Sequence, residues 1–598
     1  MVTASHFERP PSRPAVDATV LTPDAVPEGS TLADLLATQS DVEVQRPGGA
    51  AGTASIFLRG AKPNFTMVMI EGIPLNDQTN SRGGSADVSA LNVLDLDRVE
   101  IVRGPLSSIY GSGAVQGAVN LILPDGSSDF TGAISAAGGT DGDAAGAILL
   151  RGPVGGGVGG VLSADWDDAG HAVEQSSRIN EVVTAKLAPL DGSDSYGLIL
   201  RLSRSTADAF PDDSGGPLLA VLRDVERTRA EQALIGAHWT FPLERGLDLE
   251  LTGAGTSSDF HDTTPGVAPG VGGSVGVPSG TSRDQYAFGR AQAILRYDSQ
   301  DNWRALVGAE FQEEHGRDDS DLTLFGQAFP SHYTLDRATP AVFLEGSGEA
   351  GALSLDASAR VDQPGNLGNH VTGQFGAGFA LSPQLAMHVM WGDSFKAPSF
   401  YALGNGFVGN PALKPESAST EEAGAKWSGD GGLSIEANLF RTQYHQLVDF
   451  DPGPPPRLVN RDSVLTQGIQ AAVTAQLAGR GTFSLSATYA DTRNQADNSR
   501  LLELPPWRVT SAFEWRFSSR LRARLDAIYD GDRLDASVPT GELTLPAYTT
   551  LTARLFYALG PGTELEAGLE NALNSRYQTA IGFPAPGIAG RLGIVRRF

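Results

Sequence analysis

From about residue 127 to its end, the chain is a succession of short segments in which apolar residues recur at every second position. Clear examples are residues 433–440, 482–489, 511–517 and 521–529, where Ser, Arg, Glu or Asp separates the apolar side chains. A period of two puts successive side chains on opposite faces of a β-strand. Clusters of Gly, Asp, Ser and Pro separate the segments, so this part of the chain is predicted to be all β.

Two architectures produce this alternation, a water-soluble sandwich and a barrel embedded in a membrane. The barrel is favoured because the pattern persists for about 470 residues, aromatic residues lie near segment ends, and the chain stops at Phe598. No run of 18 apolar residues is present, which argues against a membrane-spanning helix. At roughly 20 residues for a strand and its connection, about 22 strands fit, a size class with a plugged lumen.

The predicted connections are unequal in length. Long, acidic and glycine-rich segments are predicted as loops at residues 207–219, 257–283, 313–321 and 449–457. Outer-membrane barrels have short turns on one side and long loops on the outer side. We therefore expect these four segments to face the outside.

Residues 30–123 have a different sequence pattern, which predicts a small α+β domain. A helix is predicted over residues 31–39 with Ser30 or Thr31 as its cap, and strands over 55–59 and 67–70. In front of a wide barrel, this domain would be the plug.

The charge and the cysteine count exclude several function classes. The chain has 70 acidic and 44 basic residues and a net charge of −26, which would repel nucleic acid. It has no cysteine, which excludes disulfides, thiolate metal sites and a cysteine nucleophile. The N-terminus has no charged region followed by an apolar one, so we expect that any export signal is absent from this chain.

One stretch, residues 99–122, puts Gly104, Gly111, Gly113 and Gly117 between two runs rich in valine and isoleucine. It is not a nucleotide loop, because the G-x-G-x-x-G spacing and the P-loop lysine are missing and a strand follows in place of a helix. Glycine also permits positive φ and close backbone approach. We expect this stretch to pack tightly against a wall.

The same stretch resembles the plug signature of TonB-dependent outer-membrane receptors. The resemblance continues upstream through residues 56–60 and 68–76. At the N-terminus, Val2, Thr3, Ala4 and Ser5 followed by Phe7 are similar to the TonB box of cobalamin receptors, the group this chain most resembles in plug and length. Weaker similarities lie at residues 395–398, 409–416 and 570–573, Tyr577 and Phe598.

Two residues depart from the family pattern. Gln116 stands where the family often has glycine, and Arg596 occupies a position near the C-terminus that is usually apolar or aromatic. An arginine at an interface can snorkel.

The resemblance implies a transmembrane antiparallel β-barrel of about 22 strands with an N-terminal α+β plug domain inside the lumen. We divide the chain into a TonB-box segment and mobile linker (1–14), a plug (15–126) and a barrel (127–598). The implied function is TonB-dependent import of a scarce nutrient across the outer membrane of a Gram-negative bacterium, without catalysis. A corrinoid is the first candidate, and a siderophore, another metal chelate, a small organic molecule or a glycan is the alternative. An adhesive or hydrolytic soluble β-protein is the alternative of another class.

The expected partners are TonB with its inner-membrane energising complex, a small-molecule ligand and outer-membrane lipid. TonB would bind by strand addition to Val2, Thr3, Ala4 and Ser5. The plug would be anchored to the wall by Arg59, Glu100 and Arg103. Ligand binding is assigned to the outer plug loops, through Arg46, Asn76, Asp77, Asn80, Ser81, Arg82, Tyr110, Ser112 and Gln116. The alternative is that these residues only cap plug turns.

No resident cofactor is expected, apart from a possible calcium ion in the outer loops. Its candidate ligands are Asp208, Asp212, Asp213, Asp259, Asp262, Asp318, Asp319 and Asp321. The alternative is that these carboxylates keep solvated loops soluble. Two hydrolase-like patterns, at residues 213–217 and 272–276, lack the partner residues or the strand–turn–helix context that catalysis needs.

Overall fold

The computed structural model describes residues 7, 17–27, 29–47, 49–93, 95–193, 195–244, 246–299, 302–451, 453 and 455–598. The N-terminal domain is a plug with two short helices, three 3₁₀ turns (Pro23–Ala25, Gly49–Ala51, Pro63–Phe65) and seven strands. The helices are α1 (Leu32–Ala37) and α2 (Ser107–Tyr110), and the strands are β1 (Ala18–Leu21), β2 (Val42–Gln45), β3 (Ser55–Leu58), β4 (Thr66–Ile70), β5 (Ile73–Pro74), β6 (Arg98–Arg103) and β7 (Gly117–Ile122).

The plug is built on a five-stranded sheet in the order β1-β6-β7-β4-β5, with β2 and β3 paired beside it. Only β4 and β7 run parallel. Helix α1 begins at Thr31, whose backbone N–H donates to Asp34 Oδ2 at 2.8 Å in a capping box. Its leucines pack with the sheet into one apolar core. The predicted α+β plug is confirmed.

Among the described residues after the plug there are 26 strands and two further short helices, α3 (Gly216–Leu219) and α4 (Phe400–Gly404), with a 3₁₀ turn at Val271–Gly273. In chain order the strands are β8 (Thr131–Gly139), β9 (Ala144–Gly155), β10 (Val158–Asp168), β11 (Ser177–Pro189), β12 (Tyr196–Ala209), β13 (Glu226–Pro242), β14 (Leu247–Thr264), β15 (Ser279–Asp298), β16 (Trp303–Leu324), β17 (Gln327–Ala350), β18 (Leu353–Asp362), β19 (His370–Ala380), β20 (Leu385–Lys396), β21 (Glu416–Ser428), β22 (Leu433–Asp451), β23 (Arg457–Leu477), β24 (Gly481–Asn494), β25 (Trp507–Arg516), β26 (Leu521–Asp530), β27 (Arg533–Ser537), β28 (Gly541–Leu545), β29 (Tyr548–Gly560), β30 (Thr563–Glu570), β31 (Gln578–Ala580), β32 (Phe583–Pro584) and β33 (Ala589–Arg597).

Twenty-two of these strands form one closed antiparallel barrel, and β27, β28, β31 and β32 form two hairpins in loops. The barrel closes where β33 pairs with β8, from Arg591 opposite Gly139 to Arg597 opposite Ala133. The predicted barrel of about 22 strands is confirmed. Among the described residues, no helix combines the length and hydropathy that crossing a bilayer requires.

The two faces of the wall differ, as the alternation predicts. Large apolar side chains are exposed on the outer face, among them Leu162, Val183, Ile235, Leu344 and Leu439. Many inward positions on the same strands are polar and buried, such as Ser163, Thr184 and Glu345. An apolar exterior around a polar, filled lumen is the arrangement of a barrel in a membrane.

Strand lengths are uneven, and this corrects part of the loop prediction. Residues 313–321 lie inside β16, and residues 257–264 and 279–283 belong to β14 and β15. Strands β15, β16 and β17 have 20 to 24 residues, whereas β18 has 10. About 10 residues cross a membrane, so the longer strands continue beyond it and their acidic residues belong to β structure. Loops at 210–225, 265–278, 397–415, 531–547 and 571–588 share this long-loop end of the barrel.

Candidate functional site

Arg59 joins the plug to the barrel wall. Its side chain is 0% exposed and forms ion pairs with Asp17 of the plug and Glu422 of β21, and it donates a 3.0 Å hydrogen bond to Gln470. The guanidinium also lies 4.8 Å from the ring centroid of Phe440. Burial alone would lower the pKa of Arg59, but the two carboxylates raise it above its usual range.

Arg103 and Glu100, also predicted to anchor the plug, form their ion pairs with plug residues. Arg103 pairs with Asp41 and with Asp17, the latter at 3.2 Å, and so stabilises the carboxylates beside Arg59. Glu100 pairs with Arg98 at 2.9 Å. Both belong to strand β6 of the central plug sheet.

A second buried contact between plug and wall was missed by the sequence reasoning. Glu43 of β2 forms ion pairs with Arg508 of β25 and Arg533 of β27, and Arg508 also pairs with Asp530 at 2.7 Å. All four side chains are at least nine-tenths buried. The partners lie more than 460 residues apart in the chain, and no local spacing in the sequence links them.

The glycine-rich stretch packs against the wall as expected. Gly104 has φ +105°, and a Cβ there would lie 2.6 Å from the terminal methyl of Met390 on β20. Gly111 has φ +77° and lies against Arg360 of β18. Ser112 Oγ accepts a 3.0 Å hydrogen bond from the backbone N–H of Ala397. The turn after α2 is therefore fixed between β18 and the loop that follows β20.

The plug loop after β5 faces the long-loop end, and its predicted ligand residues divide into two groups. The first group hydrogen-bonds to the plug's own backbone. Asn76 bonds to Thr66 and Val68 of β4 and to Gly84 of the loop. Asn80 bonds to Arg82, Gly84 and Ser85 of the same loop. Asp77 and Arg82 reach the barrel, where Asp77 accepts a hydrogen bond from Ser258 and Arg82 pairs with Asp212. Burial raises the pKa of Asp77.

The remaining predicted ligand residues are not gathered in one place. Ser81 is exposed at the loop tip, and Tyr110 is half-buried at the end of α2. Arg46 pairs with Asp34 of α1 at 2.8 Å. Gln116 is fully buried and accepts a 2.8 Å hydrogen bond from the hydroxyl of Tyr444, so it connects plug and wall. The assignment of all these residues to ligand binding stays a prediction.

The predicted TonB-binding residues Val2, Thr3, Ala4 and Ser5 lie outside the described residues. Phe7, which follows them, is described and buried against Ile294, Leu306 and Phe343 on the inner face of the wall. Ile294 and Leu306 lie near the short-turn ends of β15 and β16. Phe7 therefore lies in the lumen near the end opposite the long loops.

The alternation of strand residues divides the acidic groups predicted to bind calcium. Asp208, Asp259 and Asp319 face outward and pair with Arg227, Arg283 and Arg317, respectively. Asp262 and Asp318 have the opposite parity and face the lumen. Within the described part of the chain, no three Asp, Glu or His side chains converge as metal ligands. The calcium site stays a prediction, with Asp321 and loop residues Asp212 and Asp213 as its other candidates.

Several long loops contact one another over one side of the barrel mouth. The backbone N–H of Val538, in the turn of the β27–β28 hairpin, donates to Asp213 at 2.9 Å, and the carbonyl of Val538 accepts from Val271 at 3.2 Å. The N–H of Leu218 in α3 donates to Gly582 at 3.2 Å. Phe210, Ala220 and Phe583 form an apolar cluster beneath these contacts. The part of the lumen between the plug and the long loops, which we call the outer chamber, is thus partly covered by loops from four connections.

Family models match both domains of the chain. A model described as "TonB dependent receptor-like, beta-barrel" matches residues 166–572, and one described as "TonB-dependent Receptor Plug Domain" matches residues 13–118. The first match lies within the barrel part of the chain, and the second covers most of the plug.

Individual relatives are distant but full-length. A protein of Vibrio vulnificus named vitamin B12 transporter BtuB is 25% identical and covers 97% of this chain and 91% of its own. One of the same name from Vibrio cholerae is 25% identical, with 100% and 95% covered.

Solved structures share the fold at lower identity. The siderophore receptor PirA from Acinetobacter baumannii has a TM-score of 0.80 at 15% identity, covering 98% of both chains. A mutant of the ferric enterobactin receptor PfeA from Pseudomonas aeruginosa has a TM-score of 0.79 at 16%, covering 98% of this chain and 99% of its own. At such identities these two structures bear on the fold alone.

Proposed function

The chain belongs to the TonB-dependent receptor family of outer-membrane β-barrels, a family of transporters and receptors, and from this we propose that it imports a scarce nutrient with a corrinoid as the first candidate. The observation that carries the proposal is the plug itself. It fills the lumen and is held by buried ion pairs at Arg59 and Glu43, beneath a chamber partly covered by loops. Passage through such a barrel requires the plug to move.

The movement would be driven from the short-turn end. Phe7 is buried there, directly after the residues that resemble a TonB box. Strand addition of residues 2–5 to TonB would place a pulling force on the segment that leads to β1. Because β1 pairs with β6 and Asp17 lies next to Arg59 and Arg103, this force reaches the plug sheet first.

Two candidate nutrients follow from the comparisons with known proteins. The curated relatives that match the full length are named vitamin B12 transporters, which supports a corrinoid. A ferric siderophore is the second candidate, because the fold of this chain is shared by proteins named as siderophore receptors.

The test is uptake of labelled cyanocobalamin and of labelled ferric enterobactin by cells lacking their own receptors and expressing this chain. Deletion of residues 2–5 should abolish uptake and leave ligand binding to the purified protein unchanged. Deletion of residues 9–12, a stretch of equal length outside the box, is the matched control. Uptake that is unaffected by loss of residues 2–5 would refute energised import.

A further inference from the structure

The strongest unexplained feature of the outer chamber is a group of unpaired acidic side chains. We define the acidic recess as Asp77 of the plug, Asp262 of β14, Asp284 of β15, Asp318 of β16 and Tyr333 of β17. Asp284 lies directly opposite Asp318, and Asp318 directly opposite Tyr333, on adjacent strands. Asp262 is on the next strand, opposite Ser282, one inward position away from Asp284. The four wall residues thus occupy neighbouring inward positions near the long-loop end.

No cation neutralises the recess within the described part of the chain. The positive side chains nearest in the fold have other partners. Arg82 pairs with Asp212, and Arg337 pairs with Glu314 at 3.4 Å and donates to the carbonyl of Pro398. The carboxylates of the recess instead accept from neutral groups: Asp77 from Ser258 and Thr79, and Asp318 from Ser320. Burial and the carboxyl of Asp318 on the directly opposed strand position raise the pKa of Asp284, because like charges at such positions are destabilising.

Tyr333 supplies an observation independent of the charges. Tyr333 is 9% exposed, and its hydroxyl has no hydrogen-bond partner among the described residues. The ring packs with Tyr286 and Phe400, and the hydroxyl interacts electrostatically with Asp284, Asp318 and Asp77. Asp318 is 4% exposed, and its Oδ1 also lacks a partner in that part of the chain. Buried polar groups without partners are rare, because each carries the full cost of lost hydration.

We infer that the acidic recess is the subsite that recognises the cargo, and that the group it takes is a cation or a strong N–H donor such as an amine or amide. This inference rests on the proposed import function and names its substrate class. An N–H donor satisfies the free oxygens of Asp318 and Tyr333 at once, and a positive charge also relieves the repulsion between Asp284 and Asp318. A polyanionic ferric chelate would add like charge to four carboxylates. The recess therefore favours an amide-bearing or cationic nutrient over a triscatecholate siderophore.

The test is direct binding to the purified, detergent-solubilised protein, measured by calorimetry with three probes. Spermine is the polyamine cation, cyanocobalamin is a ligand with primary amides at its periphery, and ferric enterobactin is the polyanion. Wild type should bind spermine or cyanocobalamin and should not bind ferric enterobactin. The double variant Asp284→Asn/Asp318→Asn should weaken that binding by at least about tenfold, because bonds to charged acceptors are replaced by neutral ones. Tyr333→Phe should weaken it less.

Asp319→Asn is the matched control. Asp319 is the next residue of β16, faces outward, is 41% exposed and pairs with Arg317. It should leave binding unchanged. Heat-modifiable gel mobility reports whether each variant is folded. Asparagine has nearly the same shape as aspartate, so the double variant removes the charge repulsion without changing the packing.

The inference is overturned if wild type binds neither spermine nor cyanocobalamin, if it binds ferric enterobactin at micromolar concentration, or if the double variant binds like wild type. A different result would refute the proposed import function. In that case the purified protein still binds its ligand through the recess, but uptake by cells does not change when residues 2–5 are deleted.

Discussion

Replacing Arg59 by alanine should destabilise the plug. The substitution leaves two buried carboxylates, Asp17 and Glu422, without their main cation. Breaking a buried pair by removing one partner costs about 3–5 kcal/mol. Asp17 keeps Arg103 at 3.2 Å and Glu422 keeps His388 at 3.1 Å. We therefore expect the free energy of plug unfolding to fall by about 3 kcal/mol, the lower end of that range.

The absence of cysteine provides the assay. Ala118 of β7 is buried, so a cysteine placed there reacts with a thiol reagent only when the plug opens. The labelling rate is measured against urea concentration in detergent, with and without Arg59→Ala. For a urea dependence of about 2 kcal/mol per M, a loss of about 3 kcal/mol lowers the midpoint by about 1.5 M.

Arg46→Ala is the control, because Arg46 also lies on the plug but is 21% exposed and pairs at 2.8 Å with Asp34, whose side chain is 38% exposed. An exposed pair of this kind contributes about 0–1 kcal/mol. Equal midpoints for the two variants would refute the argument that buried ion pairs hold the plug. The barrel's heat-modifiable mobility should be the same in both.

Three further predictions use the same preparation. Gly117→Ala should destabilise the plug more than Gly104→Ala in the thiol assay, since a Cβ at Gly117 meets the rigid carbonyl of Val102 whereas one at Gly104 meets the flexible end of Met390; the reverse order would contradict the packing. Tyr444→Phe should cost about 1–3 kcal/mol in that assay by leaving the buried Gln116 Oε1 without its donor, and Tyr489→Phe, on a half-buried tyrosine of β24, is the comparison. Leu344→Arg, on the outer face of β17, should destabilise the barrel in lipid vesicles by about 2–4 kcal/mol in urea titrations, and an unchanged midpoint would show that this face does not contact lipid.

Much of the fold is predictable because its main determinants are local in sequence. The period of two marks the wall, and the positive φ that Gly104 and Gly111 adopt follows from residue type. The loop predictions for 257–264, 279–283 and 313–321 are wrong for a physical reason, whereas residues 265–278 do form a loop. Strands that rise above a membrane are polar on both faces, so acidic composition there does not distinguish strand from loop.

The candidate site depends on register, which no local pattern specifies. Asp318 and Asp319 are identical residues at adjacent positions, yet Asp318 faces the lumen and Asp319 faces outward. Likewise, Glu43 gives no sign in the sequence that Arg508 and Arg533 will reach it. Hairpin turns fix which residues meet across the wall, and the barrel then brings distant strands around the plug.

The closing of β33 on β8 has a consequence for the order in which this molecule is made. The seam joins the last strand to the first, so the wall cannot become a ring before the final residues have left the ribosome. Until then both edge strands present unpaired backbone groups, which are templates for aggregation. The plug is synthesised before every barrel strand but lies inside the finished ring. Its residues therefore leave the ribosome earlier than the wall that comes to enclose them.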